Sequence, residues 1–351
     1  MRNGLVIVGY GGMGEWHGYH LMTKVPEVNL KGAYDIREER LEVARKNGLH
    51  TYSSYEEVLS DPEVSIVIIA TPNNFHKPLA EQAMLSGKDV ILEKPATMNA
   101  EDFAQLMELS KVTGRLLTSH QNRRWDADYN IVKKIYRERL LGDVYMLENR
   151  VQGSRQVLNG WRGVKENGGG MVYDWGVHLI DQYLDMIDSP VTEVYANLFS
   201  LYTEEVDDNF KAILRFENKV SALIEVSMNC FILHPRWHVS AENGTAIIND
   251  WDLNGKMVAL SDDKELVWDE KIVYTSAGPT RSMAPRPPET TTEKPLPQVQ
   301  VDSADFYRNV LKASNGQEEL VVKPEQTLRV LKVMDAIFQS DQLGQSIRCR
   351  I

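Results

Sequence analysis

The 351-residue chain has only two cysteines, Cys230 and Cys349. They form neither a disulfide framework nor a metal-binding spacing and read as small structural hydrophobes. A basic surplus is also missing: 50 acidic residues against 39 basic ones leave a formal charge of -11. Neutralising phosphates needs a basic footprint, so nucleic acid is not an expected partner. No run approaches the roughly eighteen consecutive apolar residues of a membrane span, so no membrane partner is expected either. The first residues enter a strand without a basic and apolar leader, and the expectation is a cytoplasmic protein.

What is present is an ordinary globular composition, 42% hydrophobic and 25% charged, at a length suited to two domains. Up to about residue 120, short apolar runs alternate with amphipathic segments. Leu5 to Val8, Asn29 to Tyr34, Ser65 to Ala70, Asp89 to Leu92 and Arg115 to Thr118 read as strands, with a weak one at His50 to Tyr52. Helical patterns fall at residues 14–24, 37–47, 74–86 and 100–113. Helices between strands of one sheet imply parallel crossovers. Ser54 with Glu57 reads as a capping box, Asn99 as an N-cap, and Gly114 as a helix end.

Beyond residue 125 the period changes. Helices read from Ala127 to Arg139 and Met171 to Met186, and Val144 to Val151, Val191 to Leu201, Asn209 to Phe216, Val220 to Met228 and His238 to Ser240 follow as strands. The fold expected is an α/β Rossmann domain over residues 1–122, then an α+β domain with a largely antiparallel open sheet over 123–351. Residues 275–300 carry Pro285, Pro287, Pro288, Pro295 and Pro297, a composition that resists regular structure. Helical patterns return at 302–313 and 324–339, where a C-terminal helix can fold back on the first domain.

The turn Gly9-Tyr10-Gly11-Gly12-Met13-Gly14 follows a strand and opens a helix. Gly9 suits the tight turn, Gly11 leaves room for a pyrophosphate, and Gly14 permits close helix packing. Amides at the helix start then face the anion. Asp35 ends the second strand, 21 residues after Gly14, where a carboxylate accepts from ribose hydroxyls and repels a 2′ phosphate. NAD is therefore the expected cofactor, with NADP left open by Arg37; Ile36 lies between them. Ala70-Thr71-Pro72-Asn73 with His76, and Glu93-Lys94-Pro95, close later strands and should border the cofactor, as should Asn122, Trp161 and Arg162.

For chemistry, Lys94 supplies a positive charge and an adjustable proton donor. Asp174 and His178 lie four apart on one helical face, so the carboxylate can orient the imidazole for taking a proton from an alcohol. Arg124 and Trp161 are placed to bracket a polar substrate together with Lys94, Asp174 and His178. No metal is expected, because His17, His20 and Asp35 are not a compact ligand motif and hydride transfer needs none.

These motifs, with Gly168-Gly169-Gly170 and Asp174-x-Gly176-x-His178-x-x-Asp181, make the chain resemble the Gfo/Idh/MocA oxidoreductases along essentially its whole length. The resemblance implies NAD(P)-dependent oxidation or reduction of a sugar, inositol or polyol. It also implies a catalytic set of Lys94, Asp174 and His178, and assembly as a homodimer or homotetramer. Two other readings stay open: redox-neutral glycoside modification through transient sugar oxidation and elimination, and a noncatalytic cofactor-sensing or structural protein.

Overall fold

The computed structural model describes residues 3–156, 158–261, 272–281 and 287–351. Its first half is built on β1 (Gly4–Val8), β2 (Asn29–Tyr34), β3 (Ile66–Ile69) and β4 (Asp89–Leu92), all fully buried except the partly exposed β2, followed by the short β5 (Leu117–Ser119). All pairings are parallel, in the order β2-β1-β3-β4-β5. Parallel neighbours need crossovers, supplied by α1 (Gly12–Lys24), α2 (Glu38–Lys46), α3 (Tyr55–Ser60), α4 (His76–Leu85) and α5 (Ala100–Thr113). The strand order reverses between β1 and β3, which opens a crevice at their carboxyl ends.

Local signals hold where the partner is near in sequence. Ser54 Oγ caps α3 by accepting from Glu57 N–H (3.1 Å), although the Glu57 carboxylate bonds back to Ser53. Asn99 Oδ1 accepts from Asp102 N–H (2.8 Å), and Gly114 ends α5 at φ 64°. The weak strand at His50 to Tyr52 reduces to one bridge between Thr51 and Ala33.

In the second half, α6 (Ala127–Arg137) and β6 (Val144–Gln152) precede a π-helical segment, Val172–Gly176, that runs into α7 (Val177–Met186). Then follow β7 (Val191–Phe199), β8 (Asn209–Phe216), β9 (Ser221–Ser227), β10 (Trp237–Ala241), β11 (Gly244–Ile248) and β12 (Gly255–Leu260). A separate hairpin, β13 (Ile272–Thr275) with β14 (Gly278–Arg281), precedes β15 (Thr291–Lys294). Helices α8 (Ala304–Ser314) and α9 (Pro324–Leu343) and the short β16 (Ile347–Arg348) complete the chain. The nine-stranded sheet runs β15-β12-β11-β10-β6-β9-β8-β7-β16 and is antiparallel except where β6 meets β9. Within the described part of the proline-rich stretch, β15 pairs as an edge strand with β12. Pro285 lies outside the described residues.

Alternation in β8 and β9 buries one face, with Phe210, Ala212, Leu214, Ala222, Ile224 and Val226 in the core against α7 and α9. Helix α8 instead joins the first domain's core, where Phe306, Tyr307 and Val310 meet Leu5, Ile7 and Leu21. No helix among the described residues is long and apolar enough to cross a membrane.

Candidate active site

The glycine turn divides into two pairs. Gly9 has φ 89° and a Cβ there would sit 2.6 Å from the Ala70 carbonyl oxygen, while a Cβ on Gly14 would meet the Gly9 carbonyl at 2.0 Å. Those two glycines are demanded by the protein's own backbone. A Cβ on Gly11 or Gly12 would meet nothing within 4 Å. Their missing side chains leave room for something outside the protein. That room is part of a cavity of about 610 Å³ at the β1/β3 crevice, lined also by Met13, Asp35, Ile36, Arg37 and Thr71. The start of α1 supplies unpaired amides there.

Asp35 is fixed at the cavity wall. Its Oδ2 accepts from Tyr10 N–H (2.8 Å) and its Oδ1 from Arg37 N–H (2.9 Å). The Arg37 side chain stays half exposed, 3.8 Å from Asp35 and 3.6 Å from Glu39. Ile36 is 86% exposed on the lip. These residues fit a dinucleotide: amides and open glycines for the pyrophosphate, an acceptor for the ribose, and an apolar lip for the base.

Across the crevice, Ala70, Pro72, Asn73, Glu93, Lys94, Trp161, Arg162 and Asp174 line the same cavity. Asn73 Nδ2 donates to Gly168 O (2.8 Å), which ties the two domains together over the crevice. Arg162 stacks its guanidinium over Trp161 at 4.7 Å.

Lys94 Nζ donates to the Asp174 carboxylate (2.9 Å) and backbone carbonyl (2.7 Å), and Arg162 Nε donates to the same Oδ1 (3.2 Å). Burial pushes the Asp174 carboxyl up, but the two cations outweigh it and hold the pKa below the ordinary range. His178 is 4% exposed and its Nδ1 has no hydrogen-bond partner. Burial, with Lys94 and Arg123 nearby, lowers its pKa well below the usual value, so the ring is neutral at pH 7. The expected Asp174 to His178 pairing is therefore corrected. The π-helical turn at Val172–Gly176 hands the carboxylate to Lys94 and Arg162, and the imidazole is left free.

Other expected contacts are also reassigned. Arg124 does not face the cavity: its Nε and Nη2 grip the two oxygens of buried Asp181 (2.8 and 2.6 Å), and Nη1 reaches Gln326 (3.0 Å). It is a structural ion pair. His76 is buried outside the lining, with its ring nitrogens 2.9 Å from the Pro95 carbonyl and 3.0 Å from that of Thr71; the neutral ring donates its single N–H to one of them and wedges between both strand-end loops. Tyr10 puts only its backbone to use at Asp35, its ring being core, and Asn122 is not among the lining residues.

Sequence spacing missed two clusters. Glu93 Oε1 meets His17 Nε2 (2.9 Å) and His120 Nδ1 (2.7 Å), while Tyr307 OH lies 2.6 Å from His17 Nδ1 and 3.4 Å from His120 Nε2. Burial would raise the Glu93 carboxyl, but the two histidines together hold it well below the ordinary range. An ionised carboxylate only accepts, so both imidazoles present N–H to it and Tyr307 donates to His17. His17, Glu93 and His120 offer ligand atoms all within 4.8 Å of one another, yet both rings converge on one oxygen already shared as a hydrogen-bond acceptor. The second cluster is Arg123 with Trp175 and Trp251 beside His178. A guanidinium packed against two adjoining indoles joins residues from three distant stretches, which no local pattern reveals.

Comparison with known proteins agrees with this geometry. Residues 4–121 match a family described as an oxidoreductase family with an NAD-binding Rossmann fold, GFO/IDH/MocA, and residues 129–247 match that family's C-terminal domain. A solved structure described as an NAD-binding protein from Listeria innocua is 40% identical, with a TM-score of 0.93 over 99% of both chains. An uncharacterized oxidoreductase of Schizosaccharomyces pombe is 30% identical over 84% of each chain. The Bacillus subtilis scyllo-inositol 2-dehydrogenase (NADP(+)) IolW is 26% identical over 97% of this chain and 94% of its own.

Proposed function

The chain belongs to the Gfo/Idh/MocA oxidoreductase family, and from that premise we propose that it is a dehydrogenase, with NAD preferred, acting on a secondary alcohol of a sugar, inositol or related polyol. The observation that carries this reading is Lys94, whose Nζ is held by Asp174 in the wall of the dinucleotide cavity, near neutral His178, whose Nδ1 has no partner. The inositol dehydrogenases among the relatives support the substrate class.

The cofactor, when bound, supplies the hydride acceptor for oxidation and the donor for reduction. Everything else is the chain's own work. Two of the three Lys94 N–H groups are taken by Asp174, which aims the third at the reacting oxygen and stabilises negative charge developing there. His178 accepts the hydroxyl proton through a free ring nitrogen. Asp174 acts on Lys94 and keeps the ammonium in place. Buried Asp35, with both oxygens already fixed by amides, disfavours a 2′ phosphate, and Arg37 is partly engaged by Asp35 and Glu39. The exposed outer face of the nine-stranded sheet supports assembly with a second copy.

The test is a screen of stereoisomeric polyols and sugars for reduction of added NAD or NADP. At least one should be oxidised, and Lys94→Met should lower kcat by roughly a thousandfold or more while cofactor affinity stays within about threefold. Undiminished turnover by the variant would overturn the assignment of Lys94. Glycoside cleavage without net NADH would favour the redox-neutral reading.

A further inference from the structure

Resting on the dehydrogenase reading, we propose that Glu93, backed by His17, His120 and Tyr307, is a positioning residue. It holds Lys94 in register with the helix that seats the cofactor.

The four side chains close a ring. Glu93 Oε1 accepts from His17 Nε2 (2.9 Å) and His120 Nδ1 (2.7 Å), and the Tyr307 hydroxyl lies 2.6 Å from His17 Nδ1 and 3.4 Å from His120 Nε2. The second carboxylate oxygen, Oε2, accepts from the backbone N–H of Lys94 (3.1 Å). Three donors thus converge on one carboxylate. Ionised, it offers acceptors on both oxygens and no donor, whereas an amide of the same shape offers one oxygen only. All four side chains are buried, and Trp16 and Phe306 pack their rings against His120.

Tyr307 decides which nitrogen of His17 carries the proton. Burial lowers the pKa of His17 and raises that of the Tyr307 phenol, so a neutral imidazole meets a protonated hydroxyl. The phenol donates to Nδ1, which leaves the single imidazole N–H on Nε2, aimed at Glu93. Without that hydroxyl the other tautomer becomes available, and it turns a lone pair toward the carboxylate. Burying an ion costs stability, and an apolar filling of the same volume would pack as well. What the carboxylate adds is direction.

Each member belongs to a part of the site that must keep register with the others. His17 lies on α1, three residues after Gly14, behind the turn whose open glycines leave room for a pyrophosphate. Glu93 and Lys94 follow β4, His120 follows β5, and Tyr307 arrives on α8. The ring therefore joins the cofactor helix to the peptide that carries Lys94. Asp174, from the second half of the chain, holds the tip of the Lys94 side chain, and Glu93 holds its root. Hydride transfer needs cofactor and reacting oxygen placed together, and a displacement of about 1 Å costs up to roughly a hundredfold in rate.

The experiment uses the full chain with its cofactor and three variants: Glu93→Gln, Tyr307→Phe, and Glu93→Gln combined with Lys94→Met. The first sets an amide N–H against either the Lys94 N–H or the imidazole N–H groups. On the polyol that wild type oxidises best, its kcat should fall about 30-fold or more, with polyol KM and cofactor Kd within about threefold. Tyr307→Phe should lose about three- to tenfold in kcat in the same manner. With Lys94→Met already present, Glu93→Gln should cost less than about twofold more, because it acts through Lys94. Brief acetylation followed by mass spectrometry gives a readout that needs no turnover. The Lys94 side chain is 13% exposed, and in Glu93→Gln it should label at least about fivefold faster, while exposed Lys111 labels as before. A kcat within about twofold of wild type together with unchanged labelling would overturn the proposal, as would an undiminished further loss in the Lys94→Met background. If wild type turns over no polyol, the dehydrogenase reading falls and the labelling alone decides how Lys94 is held. If Glu93→Gln fails to fold, Tyr307→Phe, which removes one hydroxyl, decides by the same two readouts.

Discussion

Arg123 and Arg124 are neighbours of the same type in different settings, the first against Trp175 and Asp126 and the second locked to Asp181, and residue type could not have told them apart. Arg124 is 7% exposed and bound to Asp181, itself 1% exposed. Removing one member of a buried pair strands the other charge, so Arg124→Ala should lower the unfolding free energy in urea by about 3–5 kcal/mol. A loss under about 1 kcal/mol with a raised substrate KM would return Arg124 to the substrate site. His178 gives a second residue-scale prediction. Its folded pKa is lowered, first by burial and then by Lys94 and Arg123, so the neutral form persists as pH falls below the usual imidazole value. The acid limb of kcat/KM for alcohol oxidation should accordingly lie well below about 6.5, and a limb at or above that value counts against His178 as the base. At this scale the glycine turn, Asp35 and Lys94 were readable because each follows a strand end directly. The fate of Asp174 was not readable, since its partners Lys94 and Arg162 come from elsewhere in the chain.

The same divide separates elements. A single helix from Met171 to Met186 is what periodicity gives, yet the chain makes a π-helical turn first, at Val172–Gly176. Asp207, from the approach to β8, accepts Val172 N–H at 2.8 Å, and a Cβ on Gly176 would press to 2.9 Å from the Phe210 ring. Both are contacts between distant stretches. Strands β11, β12 and β15 were missed for a related reason: they are short, half exposed, and defined by pairing with each other. The capped helices α3 and α5 were legible because their caps are local. Asp207 carries this scale's prediction. Burial raises its pKa to about 7, only partly offset by backbone N–H groups. A carboxyl raised above its unfolded value contributes stability that is full below that value and is lost as pH rises through about 7. Wild-type Tm should thus fall between about pH 4 and 7 and level off above, whereas Asp207→Asn, which still accepts from Val172, should lack that part of the fall and exceed wild type at the upper pH by roughly 3 °C. Equal pH slopes for both proteins would show that Asp207 does not titrate in this range.

For the whole molecule, the chain's return matters most. Helix α8 enters the first domain's core and brings Tyr307 to His17 and His120, while Thr118 Oγ1 donates to Val322 O (2.7 Å) and Asp335 on α9 accepts from Ala100 N–H (3.0 Å). The crevice is therefore clasped from behind by the second half, and the nine-stranded sheet has one face committed to α7 and α9. Its other face shows Tyr195 at 41% exposure and Ile213 at 38%. They pair across β7 and β8 with charged Lys211, Arg150 and Glu225 on the same sheet, a mixture suited to a partly apolar contact between copies. A symmetric contact places each of these residues against the same patch of its partner, so one added charge is introduced twice. Tyr195→Arg with Ile213→Arg should therefore shift the chain to a smaller species in light scattering, with little change in the cofactor affinity of the distant first domain. Should wild type already run as a single chain at micromolar concentration, the open face is solvent-facing and the assembly proposal fails.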